Sequence, residues 1–409
     1  MIPFEEALHI VLEHVSPLGV ERVPLEEAPG RFLAEDVVAD TDMPRFHNSS
    51  VDGYGVRAAD IEEASGNNPV CLPVAGVVPA GKAWTSGLPP GAALKIMTGA
   101  VVPEGVDTCV KREHTVESEG QVTFSRPAKR GDNIRPRGAE YLAGTTILPK
   151  GAHATPPVVA VLASLGWPAV EVYRRPRVRL LVTGTELAAS GEALAHGQIY
   201  DSNGVGLEAA VRAVGITDVR TSTCEDDAVK IRAAIEGALG DADVVVTSGG
   251  VSVGDFDFIP SAFEGLGGMR RFWKVAIKPG KPNYFGAWEG RGSRSLFFGL
   301  PGNPVGALLS FERLVRPALL RLMGARDEAP QRFRATLSSS LEKTRGRMEW
   351  VRGVLAPEGP GLTVSPIAHR ESHMLTGLAR ANCLICFPAE ATDLAEGDSV
   401  EVQLLRWGL

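Results

Sequence analysis

Asp255 and Asp257 stand two apart, following the β-branched run Asp243–Thr247 and the small-residue stretch Ser-Gly-Gly-Val-Ser-Val-Gly. Two carboxylates at that spacing can share a divalent cation, and glycines ahead of them let backbone N–H groups come close to an anion. A second turn, Gly299-Leu-Pro-Gly-Asn-Pro304, follows the short apolar run Ser295–Phe298. There Asn303 suits an N-cap and Pro304 the first helical position, so a helix N-terminus would face the same edge of a sheet. Paired acids and two such turns describe a site for a phosphate-bearing ligand and a metal. Neighbouring turns add Glu186, Asp201, Asp226, Lys274, Lys278 and Lys281. Carboxylates hold a hard cation such as Mg²⁺, and ammonium groups neutralise phosphate oxygens. Surface ion pairing accounts for any one of these charges taken alone, and tight turns need glycine without any ligand. Their joint placement at strand-to-helix turns is what favours a site.

A second polar group lies nearer the N-terminus: His47–Gly55, Lys95–Ala100 and Arg130–Glu140. The basic residues around Asn133 could cup an anion, although a solvated basic loop has the same composition. His47 reads as a turn residue, since no catalytic partner is visible. His369 and His373 are four apart, which suits a chelate only on a helix, and their surroundings read as loop. Five cysteines give an odd count without a disulfide framework. Cys383 and Cys386 lie on an apparent strand, where positions three apart face opposite ways and make a poor chelate. A buried structural role is expected for both.

These groups need elements to hold them. The first 176 residues carry frequent Pro and Gly and short apolar runs, with strands expected near Pro69–Val78, Ala92–Ile96 and Val106–Lys111. Helices are expected near Pro3–Val15 and Thr155–Leu165. From Val178 the pattern changes to alternating strands and helices: strands at Arg177–Val182, Thr217–Ser222, Asp243–Thr247, Phe272–Ile277 and Ser295–Phe298, and helices at Ser202–Val214, Asp226–Leu239 and Val305–Leu322. That alternation implies a doubly wound α/β domain with ligands at the carboxyl ends of its strands. After about Ala325 only strands follow, near Phe333–Ser338, Glu349–Leu355, Leu362–Pro366, Cys383–Phe387 and Val400–Leu405, as in a small β-barrel or sandwich. The fold class expected is therefore α/β plus β and multi-domain: a central doubly wound α/β domain, N-terminal β-rich and helical modules, and a C-terminal small β-barrel.

The net charge of −7 argues against broad nucleic-acid binding, which wants a basic face, and favours a small-molecule substrate. No apolar run reaches the roughly 18 residues a membrane span requires. The acidic start Met1–Leu8 lacks the basic head and apolar core of a signal peptide, so a cytoplasmic protein without a membrane association is expected.

At the level of motifs, the chain resembles the molybdopterin molybdenumtransferases: the bacterial MoeA type and the related E-domains, including that of gephyrin. The resemblance runs from Phe46-His-Asn-Ser-Ser-Val-Asp-Gly-Tyr54 to Arg370-Glu-Ser-His-Met-Leu375. Between them lie Ile96–Gly105, Gly197-Gln-Ile-Tyr-Asp-Ser-Asn203, Thr247–Asp255, Phe272–Pro282 and Gly299–Pro304. The α/β part alone would also fit the molybdopterin adenylyltransferases, which lack the flanking β modules.

The resemblance implies four domains: 1–50 with 140–176 for linkage and dimerisation, an inserted β-rich domain at 51–139, a molybdopterin-binding domain at 177–325, and a β-barrel at 326–409. It implies Mg²⁺-dependent insertion of molybdate into adenylated molybdopterin with release of AMP, by a homodimer, with other molybdenum cofactor synthesis proteins as candidate partners. Carried over by motif, Asp226, Asp255 and Asp257 would sit at the metal and pyrophosphate, with Glu186 nearby. Lys274 and Lys278 would steady phosphates, while Ser248, Gly249, Gly250 and Ser252 would contribute along the Gly-rich turn. Pro301, Gly302 and Pro304 would shape the loop that receives pterin or molybdate. Arg352 and Ser372 match positions on the molybdate side. Asp52, Thr98 and Glu140 match residues that reach the cleft from the other subunit. The sequence departs from the family pattern at Val51 (commonly Met), Gly55 (Ala), Thr185 (Asp) and Glu140 (Asp). Two other readings compete with this enzyme: a non-catalytic scaffold, and adenylation of molybdopterin from ATP.

Overall fold

The structure, a computed structural model, describes residues 1–409 except 252–257, 291, 327–329, 369, 406 and 408–409. Ser252, Asp255, Asp257 and His369 therefore lie outside the described residues. The chain forms two compact units, one of residues 1–35, 151–163 and 167–409, the other of residues 36–150 and 164–166.

The first unit is built on a six-stranded sheet in the order Val219–Cys224, Val178–Thr183, Val244–Ser248, Ser293–Leu300, Tyr284–Gly290, Met269–Trp273. The first four strands are parallel, and the last two add antiparallel at one edge. Val178–Thr183 and Val244–Ser248 are buried along their whole length, as runs covered by helices on both faces must be. Alternation sorts their side chains: Val178, Leu180, Val244 and Val246 enter one core, Leu181 and Val245 the other. Helix Ser202–Ala213 covers the first face with Leu207, Ala210 and Val211; helix Ala228–Leu239 covers the second with Ile231, Ile235 and Leu239.

Capping decides where these helices begin. Asp201 accepts from Gly204 N at 2.8 Å. Asp227 accepts from the Val229 and Lys230 amides at 3.0 and 2.9 Å, so the second helix starts at Ala228 rather than at Asp226. That offset leaves Asp226 on the loop before the helix. The expected helix Val305–Leu322 spans Pro304–Leu322, with a π-helical turn at Phe311–Val315 between two α segments. Strand Tyr284–Gly290 and the short helix Ile259–Gly265 were not expected, and the strand expected at Phe272–Ile277 instead covers Met269–Trp273. Glycines in Tyr-Phe-Gly-Ala-Trp-Glu-Gly weaken the strand signal, yet Gly286 is required there. A Cβ on it would lie 2.6 Å from the Phe263 ring.

The C-terminal strands Met348–Glu358, Gly361–Pro366, Arg332–Leu337, Ser399–Leu404 and Cys383–Phe387 pair in that order, and the last returns to the first, closing a barrel. The short strand Ile277–Lys278 pairs in parallel with its first strand, so the loop that follows is tied to the barrel. Cys383 lies in the barrel core while Cys386 packs against the α/β core, on the opposite faces that strand alternation predicts. Burial pushes both thiols up to about 12, which leaves them inert as ligands or nucleophiles at neutral pH.

The second unit holds a mixed six-stranded sheet in the order Thr108–Lys111, Gly53–Val56, Ala93–Ile96, Val70–Val78, Gln121–Phe124, Thr115–Ser118. Tyr54, Val56, Phe124 and Leu72 fill one of its cores, and Leu94, Ile96 and Cys109 another. Among the described residues no helix is long and apolar enough to cross a membrane.

Candidate active site

The carboxyl ends of the parallel strands open into a cavity of about 1410 Å³ within the first unit. Thr183, Ser248 and Pro301 mark three strand ends on its wall, and Asp226 follows the fourth. This is where a ligand belongs in an open α/β sheet. The floor is held by a compact polar knot. Asn203 Nδ2, near the start of its helix, donates to Ser248 Oγ at 2.9 Å and to Gly302 O at 2.7 Å. Ser248 Oγ in turn donates to Pro301 O at 3.1 Å. One buried amide thus fixes two strand-end turns and a helix start relative to each other.

Glycine is needed at the first of those turns. Gly249 has φ +95°, and a Cβ there would stand 2.7 Å from Thr183 O. Its amide donates to Leu300 O at 3.2 Å, so it is spent inside the sheet rather than offered to an anion. Gly249 therefore shapes the turn through its backbone geometry.

Three acids, Glu186, Asp201 and Asp226, line the cavity from the α/β turns, and Asp201 is spent as the helix cap. Asp226 and Thr185 are joined twice, Thr185 N to Asp226 Oδ2 at 3.3 Å and Asp226 N to Thr185 Oγ1 at 3.4 Å. Thr185, where the family pattern commonly has Asp, therefore orients Asp226 without adding charge. Glu186 folds back over Gly184, whose built Cβ would meet its carboxylate oxygens at 2.9 and 3.0 Å. Among the described residues no cluster of three or more His, Cys, Asp or Glu is close enough to form a metal site. Glu186 and Asp226 nonetheless offer the oxygen donors that Mg²⁺ takes while retaining several waters.

The opposite wall is basic and comes from elsewhere in the chain. Lys278 and Lys281 lie on the loop tied to the barrel; Arg347, Arg370, Ser372 and His373 come from the C-terminal part. The Glu371–Met374 loop is held by Arg352, which is only 2% exposed. Its guanidinium donates to Met374 O at 2.7 Å and Glu371 O at 3.3 Å. Val305 N also donates to Ser372 O at 3.2 Å, pinning the loop to the helix start beside Pro304.

Of the expected site residues, Asp226, Glu186, Lys278, Ser248, Gly249, Gly250, Pro301, Gly302, Pro304 and Ser372 are brought together around this cavity. Arg352 and Lys274 are not. Arg352 lies behind the wall and shapes a loop; Lys274 places its Nζ 4.7 Å from the centroid of the Trp273 ring, away from the cavity lining. Asp52, Thr98 and Glu140 belong to the second unit. There Asp52 Oδ1 accepts from Thr98 N at 2.7 Å and from Thr98 Oγ1 at 2.9 Å, which holds its carboxyl below the usual range. Glu140 is exposed. Near it Arg137 pairs with Asp42 at 2.6 Å and Asn133 Nδ2 donates to Cys109 O at 2.7 Å, so the basic loop is already engaged. Sequence reasoning missed Arg347 and Arg370, and gave Asn203 no role although its Asp-Ser-Asn motif marks the helix start.

A sheet-end cavity lined by acids and cations defines a ligand-binding α/β protein, and comparison with known proteins gives its family. Residues 2–166 match the MoeA N-terminal region (domains I and II), 179–321 a probable molybdopterin binding domain, and 334–405 the MoeA C-terminal region (domain IV). The chain is 36% identical over 407 residues, 98% of each chain, to the molybdopterin molybdenumtransferase of Haemophilus influenzae. It is 40% identical over 404 residues, 97% of this chain and 98% of the relative, to molybdopterin molybdenumtransferase 2 of Mycobacterium tuberculosis. The crystal structure of a molybdopterin biosynthesis MoeA protein from Pyrococcus horikoshii OT3 superposes with a TM-score of 0.84 at 29% identity, covering 99% of this chain and 100% of that one. The chain belongs to the MoeA family of molybdopterin molybdenumtransferases.

Proposed function

We propose that this chain catalyses the metal-insertion step of molybdenum cofactor synthesis. It binds adenylated molybdopterin, cleaves the pyrophosphate linkage with release of AMP, and delivers metal from molybdate to the dithiolene sulfurs. The observation that carries this reading is the cavity's lining: the Glu186, Asp201 and Asp226 carboxylates from the α/β turns, and the cations Lys278, Lys281, Arg347 and Arg370, with Glu371, from other parts of the chain. A pyrophosphate and a small oxyanion both need positive charge, and the low-dielectric cavity strengthens each contact. Asp226 and Glu186 would hold Mg²⁺, together with Asp255 and Asp257 of the Gly-rich turn. Bound there, the cation would neutralise charge building up on the pyrophosphate oxygens. Lys278 and Lys281 would bind phosphate oxygens, and Ser372 with the Pro301–Pro304 turn would enclose the pterin or molybdate end.

In this reading the chain acts in the cytoplasm as a homodimer in which Asp52, Thr98 and Glu140 complete the partner's cleft. The four-part division at 1–50 with 140–176, 51–139, 177–325 and 326–409 is kept as part of it. The test is AMP release from adenylated molybdopterin with Mg²⁺, with and without molybdate. Molybdate-dependent AMP, and a product that activates a cofactor-free molybdoenzyme, would support the reaction. ATP consumption with molybdopterin would point to adenylation instead, and no AMP from a folded dimer would remove the enzymatic reading.

A further inference from the structure

Glu349 is a carboxylate with no direct place in the cavity and no obvious reason to be buried. It sits on the first strand of the barrel, 4% exposed, and does not line the wall. Isolating a carboxylate from water is costly, and only well-placed cations offset the cost. Here two cations do so. Lys278 Nζ donates to Glu349 Oε2 at 3.3 Å, and Arg370 Nη1 lies 3.9 Å from Glu349 Oε1. Lys343 feels the same charge at longer range. Both close partners line the cavity, and they reach Glu349 from different parts of the chain.

The backbone makes the Lys278 contact a matter of register. Ile277 and Lys278 pair in parallel with Met348 and Glu349, residue for residue, and Met348 N donates to Ala276 O at 3.1 Å. Arg370 is held at its far end, where Nη2 donates to Glu342 O at 3.3 Å. Its Nη1 is enclosed with no hydrogen-bond partner of its own among the described residues, leaving the nearby carboxylate as its compensation. A buried pair contributes little to stability compared with an apolar replacement, so its place behind two cavity cations asks for another explanation.

We infer that Glu349 is a positioning residue: as the shared partner of the Lys278 ammonium and the Arg370 guanidinium, it fixes these two cavity-lining cations for a compact tetrahedral oxyanion. The inference rests on the proposed reaction, whose phosphate and molybdate oxyanions both need these cations. Glu349 touches no reacting atom. It works through the two cations, whose long side chains would otherwise spread over many rotamers and lose entropy on binding.

The experiment is equilibrium binding of molybdate, without pterin, to full-length wild type, E349Q, E349A and E349D, with melting temperatures measured alongside. The expected result is affinity of the folded protein about ten-fold weaker in E349Q and E349A and partly restored in E349D, with a lowered melting temperature because Arg370 Nη1 then stays enclosed without its counter-charge. In a K278M/R370M background, E349Q should change affinity less than about two-fold, because the groups it acts through are gone. Tighter binding by E349Q would overturn the inference, making Glu349 a competing charge rather than an aid. A lower melting temperature with unchanged affinity of the folded fraction would also overturn it, as a purely structural role. A crystal structure of E349Q decides the matter without any ligand: displaced Lys278 and Arg370 head groups support it, and unmoved ones overturn it. Failure of the proposed reaction would show separately, as a wild type that binds molybdate yet releases no AMP.

Discussion

The two ends of the parallel sheet use charge in opposite ways. At the strand beginnings, every acid is matched. Asp243 accepts from Arg174 Nη1 and Nη2 at 3.0 and 2.9 Å and from Arg177 N at 2.7 Å. Arg179, 9% exposed, reaches Asp218 at 2.8 Å and Asp241 at 2.7 Å. At the strand ends, 183, 226 and 247 tell another story. Among the described residues Asp226 meets only the long contacts to Thr185, and the buried Thr183 Oγ1 and Thr247 Oγ1 have no hydrogen-bond partner. One end has used its polar groups to join strands to the connecting segments. The other holds them in reserve, as a site must if a ligand is to be their partner. Substitutions at the two ends should therefore separate activity from stability.

The largest effect is expected at the cavity end and on activity alone. Asp226→Ala removes a charge that contributes nothing the fold depends on. Molybdate-dependent AMP release should fall at least about 100-fold, on the order of 3 kcal/mol of transition-state stabilisation. The melting temperature should stay within about two degrees of wild type. A fall in stability matching the fall in rate would break the comparison. Arg352→Met sharpens it, because that guanidinium lies beside the cavity but is used as the strand beginnings use theirs. Two carbonyls would lose their donor, so urea unfolding should show a loss of about 2 kcal/mol. Ser372 and His373 would lose their anchor as well, so molybdate affinity should weaken too.

The same contrast explains what could be read in advance. The α/β half of the cavity follows from local rules: a buried β-branched run, glycine where φ must be positive, an Asn-Pro helix start. Those rules placed Asp226, Ser248, Gly249 and Pro301 on one edge. The basic half follows from no local rule. Arg347 and Arg370 look like any surface arginines until the barrel closes and a two-residue strand, Ile277–Lys278, joins its edge. Lys274 lies apart from the cavity lining for a related reason. Its φ of +71° turns the chain at that point, and the side chain settles on Trp273 rather than continuing along a strand. Motif put Arg352 on the molybdate side, but motif does not distinguish a residue that touches the ligand from one that, from the strand Met348–Glu358, shapes a cavity loop.

At the other end of the sheet, Asp243→Asn should cost about 1–2 kcal/mol, discounted because Arg174 and Arg177 are more than one-third exposed. AMP release by the folded protein should be unchanged. The pH dependence has a definite sign. Burial pushes the Asp243 carboxyl up, but the Arg174 hydrogen bonds, the Arg177 amide and both guanidinium charges outweigh it, so it ionises below its ordinary value of 3.8. A lowered acid binds fewer protons folded than unfolded, so its contribution is present above pH 3.8 and is lost as pH falls through the folded-state pKa. Wild-type and Asp243→Asn unfolding curves should differ at pH 6 and converge toward pH 3. A gap that stays constant over that range would mean the arginines contribute through packing rather than charge.

The smallest effect tests the idea of reserve itself. Thr247 is fully buried on a central strand, and its hydroxyl has no partner among the described residues. A polar atom enclosed in this way costs free energy that an apolar isostere avoids. Thr247→Val keeps the shape and the β-branched backbone preference, so it should be neutral or stabilising by up to about 1 kcal/mol. If the hydroxyl is kept for the ligand, the same variant should bind substrate more weakly while resisting urea better. Gain of stability with unchanged binding would make Thr247 a leftover of the strand rather than part of the site. Loss of stability would show that the hydroxyl is already partnered, and the strand ends would then be less different from the strand beginnings than their charges suggest.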